Sequence, residues 1–279
     1  MVSSNVKIPE NRKIRFALVG CGRISANHFG ALEKHADQAE LVDVCDIDPE
    51  ALQKAVDRTG ARGHASLTDM LKETTADIVV LTTPSGLHAE QAIEVARSGR
   101  HVISEKPMAT RWKDGLAMYA ACQKAGVYLF VVKQNRKNAT LQALRKAIRQ
   151  NRFGKIYMAV INVFWTRPQE YYDAAAWRGT WALDGGAFMN QASHYVDLME
   201  WLIGPVEDVQ AMISTHRNIE AEDTGVMNIR WRNGALGSMA VTMCTYPKNL
   251  EGSITILGET GTVRIGGMAV NEIQEWNFA

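Results

Sequence analysis

Cysteine is scarce in this chain of 279 residues, which has four, at positions 21, 45, 122 and 244. The four cysteines stand singly, with no C-x-x-C pair and no histidine at metal-ligand spacing. This spacing argues against a zinc or iron–sulfur site and against a disulfide framework. We therefore expect no metal and reduced thiols in a cytoplasmic protein.

Long apolar runs and an excess of one charge are also missing. No run approaches the roughly 18 residues that a membrane span needs, and the polar segment 1–13 lacks the apolar core of a signal peptide. The 31 Lys and Arg residues are interleaved with 30 Asp and Glu residues, whereas dedicated nucleic-acid binders concentrate their basic residues. We expect neither a membrane nor a nucleic acid as a partner. The 46% of hydrophobic residues is typical of a globular protein of one or two domains.

The first half of the chain alternates short apolar segments with helical ones. The pattern predicts strands over 14–19, 41–45, 77–81, 101–104 and 127–132, and helices over 24–34, 49–58, 88–98 and 112–125. Strands that are apolar throughout and separated by helices are typical of a parallel sheet covered on both faces. We predict an α/β, Rossmann-type, doubly wound domain over residues 1–134.

The second half changes to alternating apolar and polar residues. It contains predicted helices over 138–150 and 190–203 and predicted strands over 156–164, 206–214, 225–231 and 235–242. The pair Asn233-Gly234 favours a tight hairpin in which both central residues have positive φ. We predict an α+β domain over residues 135–279 with a largely antiparallel, open-faced sheet.

A glycine-rich turn, Gly20-Cys21-Gly22-Arg23-Ile24-Ser25, follows the first predicted strand. Its first two glycines allow a pyrophosphate to approach the N-terminus of the next helix, and Ser25 stands in place of a third glycine. Asp46, at the end of the second strand, can accept both hydroxyls of an adenosine ribose and repels a 2′-phosphate. No Arg follows it, which favours NAD over NADP. Asp48 is the alternative for this role, although it is well placed to cap the next helix.

Two further segments carry candidate catalytic groups. Lys106 follows the fifth strand, at the edge where open parallel sheets bind ligands, and is either an ordinary surface lysine or a charge that stabilises a substrate alkoxide. In the second half, Asn190 and His194 share one face of the predicted helix at i, i+4. His194 is the candidate general base because histidine exchanges protons near neutral pH. Asp197 could orient His194 or face solvent, and both interpretations stay open.

Taken in order, these motifs resemble those of the Gfo/Idh/MocA family of nicotinamide-dependent sugar oxidoreductases over about residues 14–265. The resemblance rests on the glycine-rich turn, the acidic end of the second strand, Thr82-Thr83-Pro84 with His88, the Glu-Lys-Pro segment, and the Gly-Gly segment that leads to His194 and Asp197. It implies an NAD-dependent dehydrogenase. It also implies a cofactor site formed by Gly20, Gly22, Arg23, Ile24, Asp46, Thr82, Pro84, His88, Glu105, Lys106, Trp177 and Arg178.

Segments 132–136, 165–172 and 177–181 resemble the branch of this family that oxidises UDP-N-acetylglucosaminuronic acid (UDP-GlcNAcA) at C3 in surface-polysaccharide sugar biosynthesis. The resemblance implies catalytic roles for Lys106, His194 and Asn190, and it implies a substrate site formed by Lys106, Lys133, Arg136, Tyr172, Asn190 and His194. Many relatives have Asp at position 190, so more of the proton transfer is expected to fall on Lys106 and His194. The alternatives are a dehydrogenase of a free sugar, an inositol or a dihydrodiol, and a non-catalytic dinucleotide-binding regulator.

An open sheet face would leave a large apolar patch on a monomer. We therefore expect a homodimer or homotetramer that associates through that face. Members of the family usually continue past the last strand with a helix and a closing strand. The end at Ala279 accordingly suggests a truncated or incomplete sequence.

Overall fold

The computed structural model describes residues 7–267 and 269–279, so part of the predicted polar segment 1–13 lies outside the described residues. The chain divides into two compact units, Met1–Val132 and Lys133–Ala279. None of the helices in the described ranges combines the length and the apolar composition that crossing a membrane requires. The four cysteines are free thiols.

The first unit is a six-stranded parallel sheet with the order β3-β2-β1-β4-β5-β6. Its strands are β1 (Ile14–Val19), β2 (Ala39–Cys45), β3 (Arg62–His64), β4 (Ile78–Leu81), β5 (His101–Ser104) and β6 (Leu129–Val131). Its helices are α1 (Ser25–Lys34), α2 (Pro49–Thr59), α3 (Leu67–Glu73), α4 (His88–Arg97) and α5 (Trp112–Ala125). The predicted Rossmann-type sheet is confirmed.

Successive residues of β1 pack into two different hydrophobic cores. Ala17 and Val19 belong to a cluster that includes Met118 of α5, whereas Leu18 packs with Phe29 of α1 and Ala55 of α2. Burial on both faces is the reason that the second half of this strand, residues 17–19, is apolar throughout. It also shows that helices cover the sheet on its two sides.

The order of the strands places a ligand-binding edge at the end of β1. β1 lies between β2 and β4, so the strands that follow it build the sheet outward toward β3 on one side and toward β6 on the other. Ligands bind outside the carboxyl ends of the strands at such a point. The loops after β1 and β4 meet there, because the N–H of Thr82 donates to the carbonyl of Val19 at 2.8 Å.

Helix α2 begins as the sequence predicts. The side chain of Asp48 accepts hydrogen bonds from the N–H groups of Glu50 and Ala51, and Pro49 occupies the first turn. The capping interpretation of Asp48 is therefore confirmed. This leaves Asp46 as the acidic residue at the end of β2 for the ribose role.

The second unit is a seven-stranded sheet with the order β13-β12-β11-β7-β10-β9-β8. Its strands are β7 (Ile156–Phe164), β8 (Val206–Ser214), β9 (Thr224–Trp231), β10 (Leu236–Thr242), β11 (Glu251–Gly258), β12 (Gly261–Gly266) and β13 (Glu272–Phe278). Its helices are α6 (Ala139–Arg149), α7 (Gln169–Asp173) and α8 (Ser193–Ile203). The sheet is largely antiparallel, as predicted, but β7 and β10 pair in parallel. The alternation of side chains indicates which face a residue occupies and not the direction of its neighbour strand.

One face of this sheet carries the core. Leu144 of α6 and Leu198 of α8 pack in the same cluster as Ile161 of β7 and Met239 of β10. Exposed apolar side chains also occur on the sheet as two adjacent pairs, Met158 with Leu236 and Met212 with Val226.

The turn between β9 and β10 differs from the prediction in one respect. Gly234 has φ +86° and its N–H donates to the carbonyl of Trp231, but among the described non-glycine residues positive φ occurs only at Asn151 and Val270. The expectation of positive φ at Asn233 is therefore wrong. The hairpin closes with a single left-handed glycine, which three-residue hairpin loops use.

Candidate active site

The glycine-rich turn is in backbone contact with the loop after β4. Gly20 has φ +95°, and a Cβ there would lie 2.8 Å from the carbonyl carbon of Thr82 and from the nitrogen of Thr83. The hydroxyl of Thr82 donates to the carbonyls of Val19 and Gly20 at 2.9 and 2.5 Å. Only glycine fits position 20. Thr82 stabilises the turn through the two hydrogen bonds of its hydroxyl.

The space in front of α1 suits a pyrophosphate. A Cβ on Gly22 would meet no atom within 4 Å, and α1 begins three residues later at Ser25. Ser25, which replaces the third glycine, is buried, and its hydroxyl donates to the carbonyl of Gly22 at 2.6 Å. Arg23 and Ile24 lie exposed in the same turn. The open backbone and the helix N-terminus thus fit a dinucleotide phosphate.

Asp46 is placed to bind a ribose without a 2′-phosphate. Its two carboxylate oxygens accept hydrogen bonds from the N–H groups of Cys21 (2.6 Å) and Asp48 (2.8 Å). A carboxylate has roughly four acceptor positions, so two remain for ribose hydroxyls. Ile47, the next residue, is 91% exposed and carries no charge that could compensate a phosphate. These residues fit NAD.

The Glu-Lys-Pro segment follows β5 directly. The buried Glu105 accepts hydrogen bonds from Nε2 of His28 at 2.9 Å and from the N–H of Lys106 at 3.1 Å. Burial acts to raise the pKa of Glu105, but these two donors outweigh it and the pKa is lowered. Glu105 is thus an anion that fixes the backbone from which the Lys106 side chain extends.

His88 connects the loop after β4 to the Glu-Lys-Pro segment. Its ring nitrogens lie 2.8 Å from the carbonyl oxygens of Thr83 and Pro107, and the side chain is buried. Burial lowers the pKa of His88. A neutral ring has one N–H and donates to one of the two carbonyls at a time. The contacts give His88 a supporting position between Pro84 and Lys106, and its role in cofactor binding stays a prediction.

In the second unit, Asn190 lies in a π-helical turn. This turn, Ala187–Gln191, precedes α8, so the prediction of one continuous helix from position 190 is wrong. The N–H of Ala192 donates to the carbonyl of Ala187 at 2.8 Å, which is the i to i+5 pattern of this turn. Asn190 is buried, and its Nδ2 donates to Oδ1 of Asp184. π-Helical turns are frequent at functional sites.

Glu222 holds the start of this turn. Its carboxyl Oε1 accepts from the N–H of Phe188 at 3.0 Å, and its backbone carbonyl accepts from the N–H of Ala187 at 2.9 Å. A Cβ on Gly186, which has φ +81°, would overlap the Glu222 carboxyl. Burial raises the pKa of Glu222, and the nearby charge of Asp184 raises it further.

His194 is the second residue of α8. Its Nε2 lies 3.2 Å from the amide nitrogen of Gln134. An amide NH₂ only donates, so this contact needs an unprotonated Nε2 on His194. The neighbouring Lys133 donates to the carbonyl of Ser193 at 3.3 Å, and burial lowers its pKa although the charge of Asp197 opposes the shift.

Asp197 takes neither of the two positions that the sequence left open. Its oxygens accept from Nε and Nη2 of Arg136 at 2.7 and 2.6 Å, in a bidentate ion pair. The guanidinium also lies 5.6 Å from the ring centre of Trp201. Arg136, a predicted substrate residue, is therefore already paired with a carboxylate of its own unit.

Aromatic rings and arginines surround α7. The Cζ atoms of Arg167 and Arg178 lie 5.4 and 4.4 Å from the ring centre of Tyr171. Nη1 of Arg178 donates to the carbonyl of Tyr171, and Cζ of Arg178 lies 5.7 Å from the ring centre of Trp177. Tyr172 is buried, and burial raises its pKa, so it is a neutral phenol.

Two acids of this site were not predicted from the sequence. Asp184 directly precedes Gly185-Gly186, and an acid before a glycine pair was a signal that could have found it. Glu222 is 32 residues from Asn190 along the chain and has no such signal. In the ranges 7–267 and 269–279, no group of three or more His, Cys, Asp or Glu residues could hold a metal ion.

Comparison with known proteins gives matches in both units. Residues 14–133 match the oxidoreductase family with an NAD-binding Rossmann fold, and residues 141–264 match the GFO/IDH/MocA C-terminal domain. The WlbA dehydrogenase from Chromobacterium violaceum, in complex with NADH and UDP-GlcNAcA, is 72% identical, with a TM-score of 0.97 over 99% of this chain and 80% of that chain. The WlbA dehydrogenase from Bordetella pertussis, also with NADH and UDP-GlcNAcA, is 70% identical, with a TM-score of 0.96 over 96% and 81%. Inositol 2-dehydrogenase 3 from Saccharopolyspora erythraea is 27% identical over 90% of this chain and 73% of its own.

Proposed function

Since the chain belongs to the Gfo/Idh/MocA family of oxidoreductases, we propose that it oxidises the C3 hydroxyl of UDP-GlcNAcA with NAD. The observation that carries this proposal is the identity of 72% and 70% to two WlbA dehydrogenases that were crystallised with NADH and UDP-GlcNAcA. Identity to inositol 2-dehydrogenase 3 is only 27%, which favours the nucleotide-sugar acid over an inositol.

The first unit supplies the cofactor site in this proposal. The nicotinamide, when bound, supplies hydride acceptance. The open backbone at Gly22 and the start of α1 bind the pyrophosphate, and the two remaining acceptor positions of Asp46 bind the adenosine ribose. Glu105 and His88 fix the backbone on either side of Lys106, from Glu105 to Pro107.

Proton removal from the C3 hydroxyl falls to His194 in this proposal, with Lys106 stabilising the developing alkoxide by its charge. An unprotonated Nε2, which the Gln134 contact requires, is the state that a general base needs. Asn190 cannot exchange a proton at neutral pH, so it contributes a hydrogen bond to the substrate. The assignment of Lys106 as the base is the alternative.

The anionic part of the substrate is assigned to Lys133, Arg136 and Tyr172. Arg136 offers Nη1, which lies outside its pair with Asp197, and Tyr172 offers a neutral hydroxyl. A neutral sugar would leave the Nη1 donor of Arg136 without an acceptor, at a cost of about 1–3 kcal/mol. This corresponds to about a tenfold to hundredfold preference for the acid in kcat/KM.

The experiment compares UDP-GlcNAcA, UDP-N-acetylglucosamine, free glucuronic acid and myo-inositol as substrates, with NADH absorbance as the readout. We expect turnover of UDP-GlcNAcA with the preference given above. Equal efficiency with myo-inositol would contradict the substrate assignment while leaving a dehydrogenase. Tight NAD binding without turnover of any of the four compounds would favour the regulator.

We further propose a homodimer or homotetramer that forms through the open sheet face, in the cytoplasm. The exposed pairs Met158 with Leu236 and Met212 with Val226 support association there, since apolar side chains gain by burial. Four free thiols agree with a reducing compartment. A monomeric mass in sedimentation equilibrium, or no change of mass in Met212→Glu, would contradict the assembly.

A further inference from the structure

Asp184 precedes the two glycines of the site and contacts Asn190. Its side chain is buried, with 3% of its surface exposed. Oδ2 accepts a hydrogen bond from the N–H of Gly179 at 2.7 Å, and Oδ1 accepts one from Nδ2 of Asn190. Asp184 therefore connects the loop before the glycines to the π-helical turn. Breaking these hydrogen bonds would leave a buried carboxylate without donors, which is costly in free energy.

The chemistry of the two side chains determines how Asn190 is oriented. A side-chain amide has one accepting end and one donating end, whereas an ionised carboxylate only accepts. Asp184 therefore selects the orientation in which Nδ2 of Asn190 faces Asp184 and Oδ1 faces away. We propose that Asp184 is a positioning residue that locks the Asn190 amide, so that Asn190 offers its carbonyl oxygen to a hydrogen-bond donor of the substrate. This rests on the proposed function in that Asn190 faces the substrate.

The pKa of a second buried acid, Glu222, is consistent with the negative charge that this orientation requires on Asp184. The Glu222 carboxyl lies under Gly186 and bonds the N–H of Phe188, at the start of the same turn. Burial raises the pKa of Glu222, and the charge of Asp184 raises it further. Of these two buried acids, Asp184 thus acts as a negative charge that disfavours the ionisation of Glu222.

Exchanging the two side chains tests the orientation directly. In Asp184→Asn, the oxygen of the new amide accepts from Gly179, so its nitrogen faces Asn190, which must then turn its own oxygen inward. The substrate meets a donor in place of an acceptor. In the double variant Asp184→Asn/Asn190→Asp, the amide at 184 donates to a carboxylate at 190. Residue 190 then offers an acceptor to the substrate again.

The experiment measures kcat and KM for UDP-GlcNAcA, the affinity for NADH and the melting temperature of the wild type, both single variants and the double variant. We expect Asp184→Asn to lower kcat/KM by about 10- to 100-fold, with NADH affinity unchanged. The kcat/KM of the double variant should be at least tenfold higher than that of Asp184→Asn. Asn190→Asp alone places two carboxylates in contact, so its melting temperature should fall and should recover at lower pH, where one of them takes up a proton. The control is Asp173→Asn, an exposed acid of α7 that should change nothing.

Unchanged kcat/KM in Asp184→Asn would overturn the proposal, and so would a folded double variant no more active than that single variant. If Asp184→Asn does not fold, the double variant must still exceed Asn190→Asp in melting temperature and activity. The melting temperatures also separate this inference from the proposed function. A wild type that does not oxidise UDP-GlcNAcA refutes the function, whereas additive effects of the two substitutions on melting temperature refute the pairing.

Discussion

The ion pair of Arg136 and Asp197 allows substrate binding and stability to be separated at one position. The pair is bidentate, at 2.7 and 2.6 Å, and its side chains are 40% and 13% exposed. In Arg136→Ala, Asp197 keeps its negative charge and loses the only arginine that contacts it among the described residues. The same substitution removes Nη1, which we assign to the substrate carboxylate.

The expected cost to stability follows from this intermediate burial. Exposed pairs contribute about 0–1 kcal/mol, and breaking a buried pair costs about 3–5 kcal/mol, so we expect a loss of about 1–3 kcal/mol for Arg136→Ala. This lowers the melting temperature by about 2–4 °C for each kcal/mol. The kcat/KM for UDP-GlcNAcA should fall by about 10- to 100-fold, while that for UDP-N-acetylglucosamine changes little.

The double variant Arg136→Ala/Asp197→Ala distinguishes the two roles. It removes the orphaned carboxylate, so most of the lost stability should return, but the efficiency with UDP-GlcNAcA should not. Urea unfolding and initial rates of NADH formation measure the two quantities on the same preparations. Recovery of the wild-type preference for the acid in the double variant would show that Arg136 acts only on Asp197, and its place in the substrate site would be refuted.

Three further predictions concern single residues. Asp46→Asn should weaken NAD binding and reduce the preference over NADP at least tenfold in isothermal titration, because a like charge no longer faces the 2′-phosphate; an unchanged preference would exclude that role. Lys106→Met and His194→Asn should each lower kcat by about 10²–10⁴-fold with NADH affinity retained, and near-parental kcat in either would mean a structural role for that residue. The stability of the Glu222→Gln variant relative to the wild type should increase as pH rises. Burial and the charge of Asp184 raise the pKa of Glu222 above the ordinary value of 4.5, so the wild type loses stability above that pH as the unfolded chain ionises, and an amide does not. A stability difference that stays constant between pH 4 and 8 would contradict this.

The local pattern of the sequence already determined the architecture of the first unit. Strands without polar alternation, such as β1 and β4, require burial on both faces, and that in turn requires helices on both sides. The Asp48 cap and the glycine-rich turn are equally local, since each depends on residues within a few positions of one another. Short or polar elements, such as β3 and α3, carry too few apolar residues to be predicted in this way.

The second unit shows what only the tertiary structure decided. The parallel pairing of β7 with β10, the strands β11 to β13 beside them, and the π-helical turn that carries Asn190 have no signature in the periodicity. The partners of the site residues are equally non-local: Arg136 meets Asp197 across 61 residues, and Glu222 meets Phe188 across 34. Residue types near a motif indicate which chemistry is available. Which buried charge is paired, and which end of an amide faces a substrate, depends on side chains that the topology brings together, and in a low-dielectric interior those partners determine the state of each group.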